Sequence, residues 1–81
     1  MTQAEVAREL LKFIASEIVD STIALTPDTD LKNIEGIDSM AMVQIILFIE
    51  RKFDVTFTDE ELNPQIFDSI NILAQAVVNH N

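Results

Sequence analysis

The stretch that decides the fold is SMAMVQIILFIERKF, which occupies residues 39–53 of the 81-residue chain. No proline or glycine interrupts it, so it predicts one continuous helix from Ser39 to Phe53. At about 100° per residue on a helical wheel, five of its apolar residues share one arc: Met42, Ile45, Ile46, Ile49 and Phe53. An arc of this kind faces the core of a globular domain.

Other apolar residues of this helix fall outside the core arc. Met40 and Leu47 lie on a different side, and Phe48 lies off the arc as well. A helix that is apolar on several sides is either buried on several sides or offers a face to another protein. Methionine suits such a face because its flexible side chain adapts to different pockets. We predict a partner-binding face with four members: Met40, Gln44, Leu47 and Arg51. Whether Phe48 belongs to the core or to the surface stays open.

The residues before this helix predict a first helix and then a long loop. Thr2 and Glu5 form a capping box, and helical spacing then aligns Ala7, Leu11, Ile14 and Ile18. We predict helix over residues 3–19. Residues 20–38 lose this period and collect Pro, Asp, Asn and Gly, so they predict a loop. Five apolar residues are expected to fasten it to the helices: Ile23, Leu25, Leu31, Ile34 and Ile37.

The residues after Phe53 predict a short third helix. Thr58 and Glu61 form a second capping box, which predicts that a helix starts there and that Asn63-Pro64 ends it. The apolar residues 55–57 are too few to form a sheet without a partner strand. We therefore expect no strand in this part of the chain.

A final helix is predicted from Asp68, as its cap, to about Val78. Ile70, Leu73 and Val77 share one face of it. The fold class is therefore all-α, and we predict a four-helix bundle of three longer helices plus one short helix, with the long loop between helices 1 and 2.

Length and composition limit the classes of protein that the chain can be. Its length fits a single domain, placed at residues 1–81. Neither a signal-peptide pattern nor an apolar run of membrane-spanning length is apparent, so we expect a cytoplasmic protein.

Fourteen acids against five bases give a net charge of −9, which argues against nucleic acid as a partner. The same charge suits partners with basic patches, but it also simply keeps a small apolar domain in solution. With no cysteine, stability must come from helix packing.

Ser39 is the candidate functional residue because it opens the second helix. A serine there ordinarily caps the helix, its hydroxyl accepting a hydrogen bond from a free N–H of the first turn. The same N-terminus presents unpaired N–H groups and the positive end of the helix dipole, which favour a phosphate. The loop before Ser39 leaves its hydroxyl open to a modifying enzyme. Asp38 adds a negative charge that would help such an enzyme to place a metal ion or a basic side chain.

The box Gly36-Ile37-Asp38-Ser39-Met40, followed by Val43, Ile46 and residues 49–55 (IERKFDV), resembles the acyl carrier protein family. The hallmark of that family is a Gly-x-Asp-Ser-Leu/Met box that opens an apolar second helix. The resemblance covers nearly the whole chain. It implies a covalent 4′-phosphopantetheine, transferred from coenzyme A to the Ser39 hydroxyl, with Asp38 and Met40 beside it.

The same resemblance implies a carrier rather than an enzyme. Cargo would be held as a thioester on the terminal thiol of the group. The implied partners are a phosphopantetheinyl transferase and an acyl- or aminoacyl-loading ligase, synthase or transferase. The resemblance also implies a monomer, with no catalytic residue and no bound metal.

Departures from the family pattern bear on the cargo. Ala41 and Gln44 stand where carriers of fatty acid synthesis have acids, and Arg51-Lys52 replace acids near the end of the helix. This pattern is similar to specialised carriers that deliver acyl chains in modified-lipid, fatty acid or polyketide-type pathways. Met40 after the serine also occurs in carriers of amino acids, so an aminoacyl, D-alanyl or peptidyl carrier stays open.

Three features of the sequence bear on other functions. Asp28-x-Asp30 resembles the start of an EF-hand calcium loop, but the fifth, sixth and twelfth positions hold Lys32, Asn33 and Ser39 instead of suitable residues. Hydrolytic enzyme activity would need a histidine placed to activate Ser39. The only histidine, His80, is the penultimate residue and is predicted to be a solvated, frayed tail residue. A small helical interaction domain without a prosthetic group, in which Ser39 is only a cap, stays open.

Overall fold

The computed structural model describes residues 2–20 and 22–80, and within these ranges the regular structure is all helical, with no strand. The elements in chain order are α1 (Gln3–Phe13), a π-helical turn (Ile14–Ile18), a first 3-10 helix (Leu31–Asn33), α2 (Ser39–Phe53), a second 3-10 helix (Pro64–Phe67) and α3 (Ile70–Asn79). The prediction of an all-α fold is confirmed. None of these helices is both long enough and apolar enough to cross a membrane.

The core is built by all three α-helices, with α1 packed most closely on α3. Its largest fully buried side chains are Val6, Leu10, Ile14, Leu31, Ile45, Ile49, Ile70, Leu73 and Val77. Burying a side chain of this size contributes roughly 1.5–3 kcal/mol relative to leaving it exposed. Because the chain has no cysteine, this packing is what holds the helices together.

The first helix begins as predicted. The hydroxyl of Thr2 accepts a hydrogen bond from the backbone N–H of Glu5, whose carboxylate accepts from the N–H of Thr2. Its last turn is π-helical, and there the Ser16 hydroxyl donates to the Lys12 carbonyl at 2.8 Å. A serine side chain that bonds back to this carbonyl loosens the α-helical ladder.

The apolar stripe predicted for this helix is only partly right. Ala7 and Ile14 are buried, whereas Leu11 and Ile18 are half-buried. Val6 and Leu10, which the stripe left out, are fully buried. The buried residues Val6 and Leu10 directly precede Ala7 and Leu11 of the predicted stripe. The inward face of the helix is therefore rotated toward Val6 and Leu10, the side on which α3 packs.

The segment between the first two helices is fastened to α3. Leu31 is fully buried and Ile37 nearly so, while the other three predicted anchors are half-buried. Asn71 of α3 donates its backbone N–H to the Pro27 carbonyl at 3.0 Å and its side-chain amide to Asp28 at 2.8 Å. Lys32 forms an ion pair with Asp68, and that contact raises the pKa of the Lys32 ammonium.

The predicted short third helix is wrong in position. Thr58 and Glu61 do exchange the two hydrogen bonds of a capping box, at 2.8 and 3.3 Å, but they enclose only a turn. The 3-10 helix begins at Pro64, where Asn63 caps it by accepting from the Gln65 N–H at 3.0 Å. Proline starts this helix instead of ending one, because the first helical residue needs no N–H donor.

The final helix has a different cap from the one predicted. Ser69, not Asp68, accepts a hydrogen bond from the Ile72 N–H at 3.1 Å, because Asp68 is turned toward Lys32. The predicted inward face of Ile70, Leu73 and Val77 is confirmed, since all three are fully buried.

Two aromatic neighbourhoods complete the fold. The sequence did not decide between a core and a surface position for Phe48, and the structure shows it half-buried. Its ring stacks on Phe13 of α1 with centroids 4.1 Å apart, and the ring of Phe53 packs edge-on against it at 6.3 Å. The prediction that His80 is a frayed tail is wrong. Its Nδ1 lies 2.8 Å from a carboxylate oxygen of Glu61, and its ring packs edge-on against Phe57 at 5.4 Å.

Candidate functional site

A tight turn delivers the chain to the start of α2. Gly36 has a φ of +98°, a conformation that residues with a side chain rarely adopt. A Cβ added there would meet only the Ile18 carbonyl oxygen, at 4.0 Å, so the glycine is required by its backbone conformation and not by lack of space. Ile37 follows and is buried. The buried Ile37 anchors the turn, and Asp38 and Ser39 emerge on the surface.

Asp38, not Ser39, is the cap of α2. Its Oδ1 accepts a hydrogen bond from the backbone N–H of Ala41 at 2.9 Å. The expectation that a serine in this place serves as the cap is therefore corrected for Ser39. Within residues 2–20 and 22–80, the Ser39 hydroxyl makes no hydrogen bond, and the residue is exposed. An accessible hydroxyl without a structural role is available for modification.

The start of α2 is also a suitable place for a phosphate. α2 has fifteen residues, and the backbone N–H groups of Ser39 and Met40 have no acceptor in the described part of the chain. Unpaired N–H groups and the aligned peptide dipoles attract an anion at this end of a helix. The donors present therefore fit a phosphodiester on the Ser39 oxygen.

Ser39 lies at the edge of an apolar cleft with a volume of about 370 Å³. One wall is the Ser39 face of α2, including Val43 and Ile46, and the other contains Leu62 and Phe67 from the segment before α3. Such a lining accommodates an apolar group better than a charged one. The cleft itself was not predicted from the sequence. The segment of its second wall was expected to form a short helix that begins at Thr58 and stops at Asn63-Pro64, whereas it forms a turn followed by the 3-10 helix Pro64–Phe67.

The four residues predicted to meet partners lie on one exposed stripe of α2. Met40 is 68% exposed and Leu47 is 46% exposed, and Gln44 and Arg51 are exposed as well. Val43 is 53% exposed and was missed. Its position four residues after Ser39 places it on the same face of the helix, a signal that was present in the sequence.

Asp28 and Asp30, whose spacing resembles the start of a calcium loop, accept hydrogen bonds within the protein. Asp28 accepts from the Asn71 amide, and Asp30 accepts from the Lys32 N–H and the Asn33 amide. Asp30 thus caps the first 3-10 helix, as aspartates often do at turns and short helix starts, whereas Asp28 holds the loop to α3.

The family described as "Phosphopantetheine attachment site" matches residues 8–77 of this chain. The chain belongs to this family. Its members are carriers rather than enzymes, so this carrier protein takes a phosphopantetheine group and works with phosphopantetheinyl transferases and loading enzymes. The family resemblance, the prosthetic group and the non-catalytic role predicted from the sequence are confirmed.

Two curated carrier proteins are similar to this chain along most of their length. It is 29% identical over 76 residues to "Aminoacyl carrier protein 1" of Bradyrhizobium diazoefficiens, covering 91% of this chain and 83% of the relative. It is 28% identical over 80 residues to "Aminoacyl carrier protein 2" of the same organism, covering 96% of this chain and 89% of the relative.

Proposed function

We propose that Ser39 is the residue that bears the phosphopantetheine group, and that the protein holds its cargo there as a thioester. The observation that carries this proposal is the exposed Ser39 hydroxyl at the start of α2, relieved of capping by the Asp38–Ala41 hydrogen bond. The free N–H groups of Ser39 and Met40 support the phosphate.

The bound group supplies a terminal thiol that forms the thioester with the cargo. The protein's own residues supply an attachment point, a favourable field for the phosphate and a surface that partner enzymes recognise. Tethering then raises the effective concentration of the cargo at each partner's active site. We propose Met40, Gln44, Leu47 and Arg51 as the recognition stripe, because all four are exposed on the side of α2 next to Ser39.

An amino acid is the cargo that we favour. Both relatives are named aminoacyl carrier proteins, and Ala41, Gln44, Arg51 and Lys52 replace the acids expected in carriers of fatty acid synthesis. A loading ligase for amino acids would then be the main partner. The sequence agrees with this choice, because a methionine after the serine, here Met40, also occurs in carriers of amino acids.

An acyl chain for a specialised lipid, fatty acid or polyketide-type pathway is the second candidate. The apolar cleft of about 370 Å³ beside Ser39 favours it, because a hydrocarbon chain gains free energy when it leaves water for such a lining.

We also propose that residues 1–81 act as one monomeric carrier domain in the cytoplasm. In this proposal the 3-10 helix Pro64–Phe67 serves as the short helix of a four-helix carrier bundle. Its Ile66 and Phe67 are buried against the core, which supports that assignment.

Intact-mass measurement tests the attachment residue. After incubation with coenzyme A and a broad-specificity phosphopantetheinyl transferase, the wild-type chain should gain one group of about 340 Da. Ser39→Ala should gain nothing, whereas Ser16→Ala, which removes another exposed hydroxyl, should gain the same mass as the wild type. A folded wild-type chain that gains no mass would favour an interaction domain without a prosthetic group.

The cargo is tested on the chain that already bears the group. Candidate ligases encoded near its gene would be supplied with ATP and either amino acids or fatty acids, and the mass increase would identify the thioester. A gain only with fatty acids would reject the aminoacyl proposal and leave the attachment at Ser39 intact.

A further inference from the structure

A second groove lies on α2 and adjoins the cleft beside Ser39 at Leu47. It runs between the end of α1 with its π-helical turn and the C-terminal half of α2, and its volume is about 700 Å³. The stacked rings of Phe13 and Phe48 form part of its lining, together with Ile18 and Leu47. The two rings are only half-buried, so this aromatic surface still meets solvent in the free chain.

The charge at this groove differs from that of the rest of the protein. Arg51 and Lys52 line it, and Lys52 is joined through Glu9 to Lys12, with both N–O distances at 3.7 Å. Three of the chain's five lysines and arginines are thus gathered on this side of a protein with a net charge of −9. Among the residues that the structure describes, Glu17 is the one acid in the lining. Arg51 is exposed and forms no ion pair among the described residues.

We propose that this groove docks an acidic amphipathic segment of a partner enzyme, with apolar side chains on the Phe13–Phe48 surface and an Asp or Glu carboxylate beside Arg51. Complementary charge favours this occupant over a basic one, and the exposed aromatic surface favours apolar side chains at its centre. The proposal rests on the proposed carrier function for the type of partner, an enzyme that loads or uses the cargo, and the groove shares Gln44, Leu47 and Arg51 with the proposed recognition stripe.

The position of the groove fits such a role. Leu47 lines both the groove and the cleft beside Ser39. It lies eight residues after Ser39, a rise of about 12 Å along the helix axis. A segment held in the groove would therefore fix a partner close to the attachment residue without covering it.

The experiment uses the full chain, labelled with ¹⁵N and without the prosthetic group. The probe is a synthetic helical peptide of about 14 residues, with leucines spaced i, i+3, i+4 and i+7 and glutamates at the flanking positions. The matched peptide has lysine in place of every glutamate. Backbone amide shifts would be followed at Ile18, Phe48 and Arg51 in the groove, and at Val43 and Leu62 in the cleft.

We expect the glutamate peptide to shift the groove amides, and the lysine peptide to shift them less despite the chain's negative charge. The double variant Arg51→Glu/Lys52→Glu should bind the glutamate peptide about tenfold more weakly and should gain affinity for the lysine peptide. If the double variant loses its fold by circular dichroism, Arg51→Glu alone decides, because Arg51 is exposed.

Four results would overturn the proposal: equal binding of both peptides, no binding of either, shifts confined to the cleft, or an unchanged affinity in the charge variants. Groove amides that shift with the concentration of the chain alone would identify a second copy as the occupant instead. The mass gain at Ser39 is measured separately on a third charge variant, Lys52→Glu, because Lys52 lines the groove but lies outside the recognition stripe of Met40, Gln44, Leu47 and Arg51. Loss of peptide binding with a retained mass gain therefore separates the groove from the attachment function.

Discussion

The carboxylate of Asp38 accepts a hydrogen bond from the backbone N–H of Ala41 at 2.9 Å, and this bond caps α2. Asp38 thereby caps the helix, a role that the Ser39 hydroxyl would otherwise be expected to have. Because Asp38 holds the helix end, the neighbouring Ser39 hydroxyl stays exposed and needs no capping bond, which is what the proposed attachment at Ser39 requires. The family box Gly-x-Asp-Ser has a physical reason in this arrangement.

Replacing Asp38 separates its capping role from its charge. Asp38→Ala should lower the free energy of unfolding by about 1 kcal/mol, because the Ala41 N–H loses its acceptor. Asp38→Asn keeps an acceptor and should remain within a few tenths of a kcal/mol of the wild type. Urea unfolding followed by circular dichroism measures both. Equal stability of the alanine and asparagine variants would contradict the capping role.

Features that depend on local sequence were predictable. The limits of α2 follow from an uninterrupted run between Ser39 and Phe53, and the Thr2–Glu5 capping box depends only on residues three apart. The exposed stripe through Met40 and Leu47 follows from helical geometry alone. Each of these needs no knowledge of which elements pack together.

Features that depend on tertiary contacts were not predictable. Asp68 was predicted to cap α3, but it pairs with Lys32, which is far away in the sequence, and Ser69 caps the helix instead. His80 is held by Glu61, 19 residues earlier in the chain, and packs on Phe57, so both contacts depend on how α3 is placed in the fold. The capping box at Thr58 is real, yet the residues after it do not continue as a helix.

Met40 is expected to meet partner enzymes rather than to stabilise the fold. Because 68% of its surface is exposed, Met40→Asp should leave the helicity and the melting temperature nearly unchanged. A charge in a docking surface should nevertheless slow the transfer of phosphopantetheine by about tenfold or more. The rate of mass gain under limiting transferase measures this effect.

The matched control for this variant is Ile72→Asp. Ile72 is a large apolar residue of α3 that is 39% exposed and lines neither groove. The Ile72→Asp variant should accept phosphopantetheine at the wild-type rate. A similar slowing in both variants would mean that general acidity, and not the α2 surface, governs recognition.

Leu31 tests whether the segment before α2 belongs to the core. Its side chain is fully buried although it lies in a three-residue 3-10 helix. Leu31→Ala should lower the free energy of unfolding by roughly 2–5 kcal/mol, a large share of the stability of so small a domain. Ile23→Ala, at a half-buried position of the same segment, should cost about 1 kcal/mol or less. Similar losses in urea unfolding would show that Leu31 does not anchor the segment.

Glu61 links the stability of the chain to acid pH. The backbone N–H of Thr58, and after it the ring of His80, hold the pKa of the Glu61 carboxyl below its ordinary value of 4.5. A carboxyl whose pKa is lower in the folded state stabilises that state when ionised. This contribution is present above about pH 4.5 and is lost as the pH falls through the lower pKa of the folded chain.

Glu61→Gln should therefore reduce the loss of melting temperature below about pH 4.5. Glutamine still accepts the hydrogen bond from the Thr58 N–H, since it replaces glutamate in capping boxes, so the variant removes the titration and keeps the turn. Glu60→Gln, at an exposed neighbour, should follow the wild-type curve. Calorimetric melting between pH 3 and pH 7 compares the three chains. The link would be refuted by a Glu61→Gln curve parallel to that of the wild type across this range, because the acid sensitivity would then arise from other carboxyl groups.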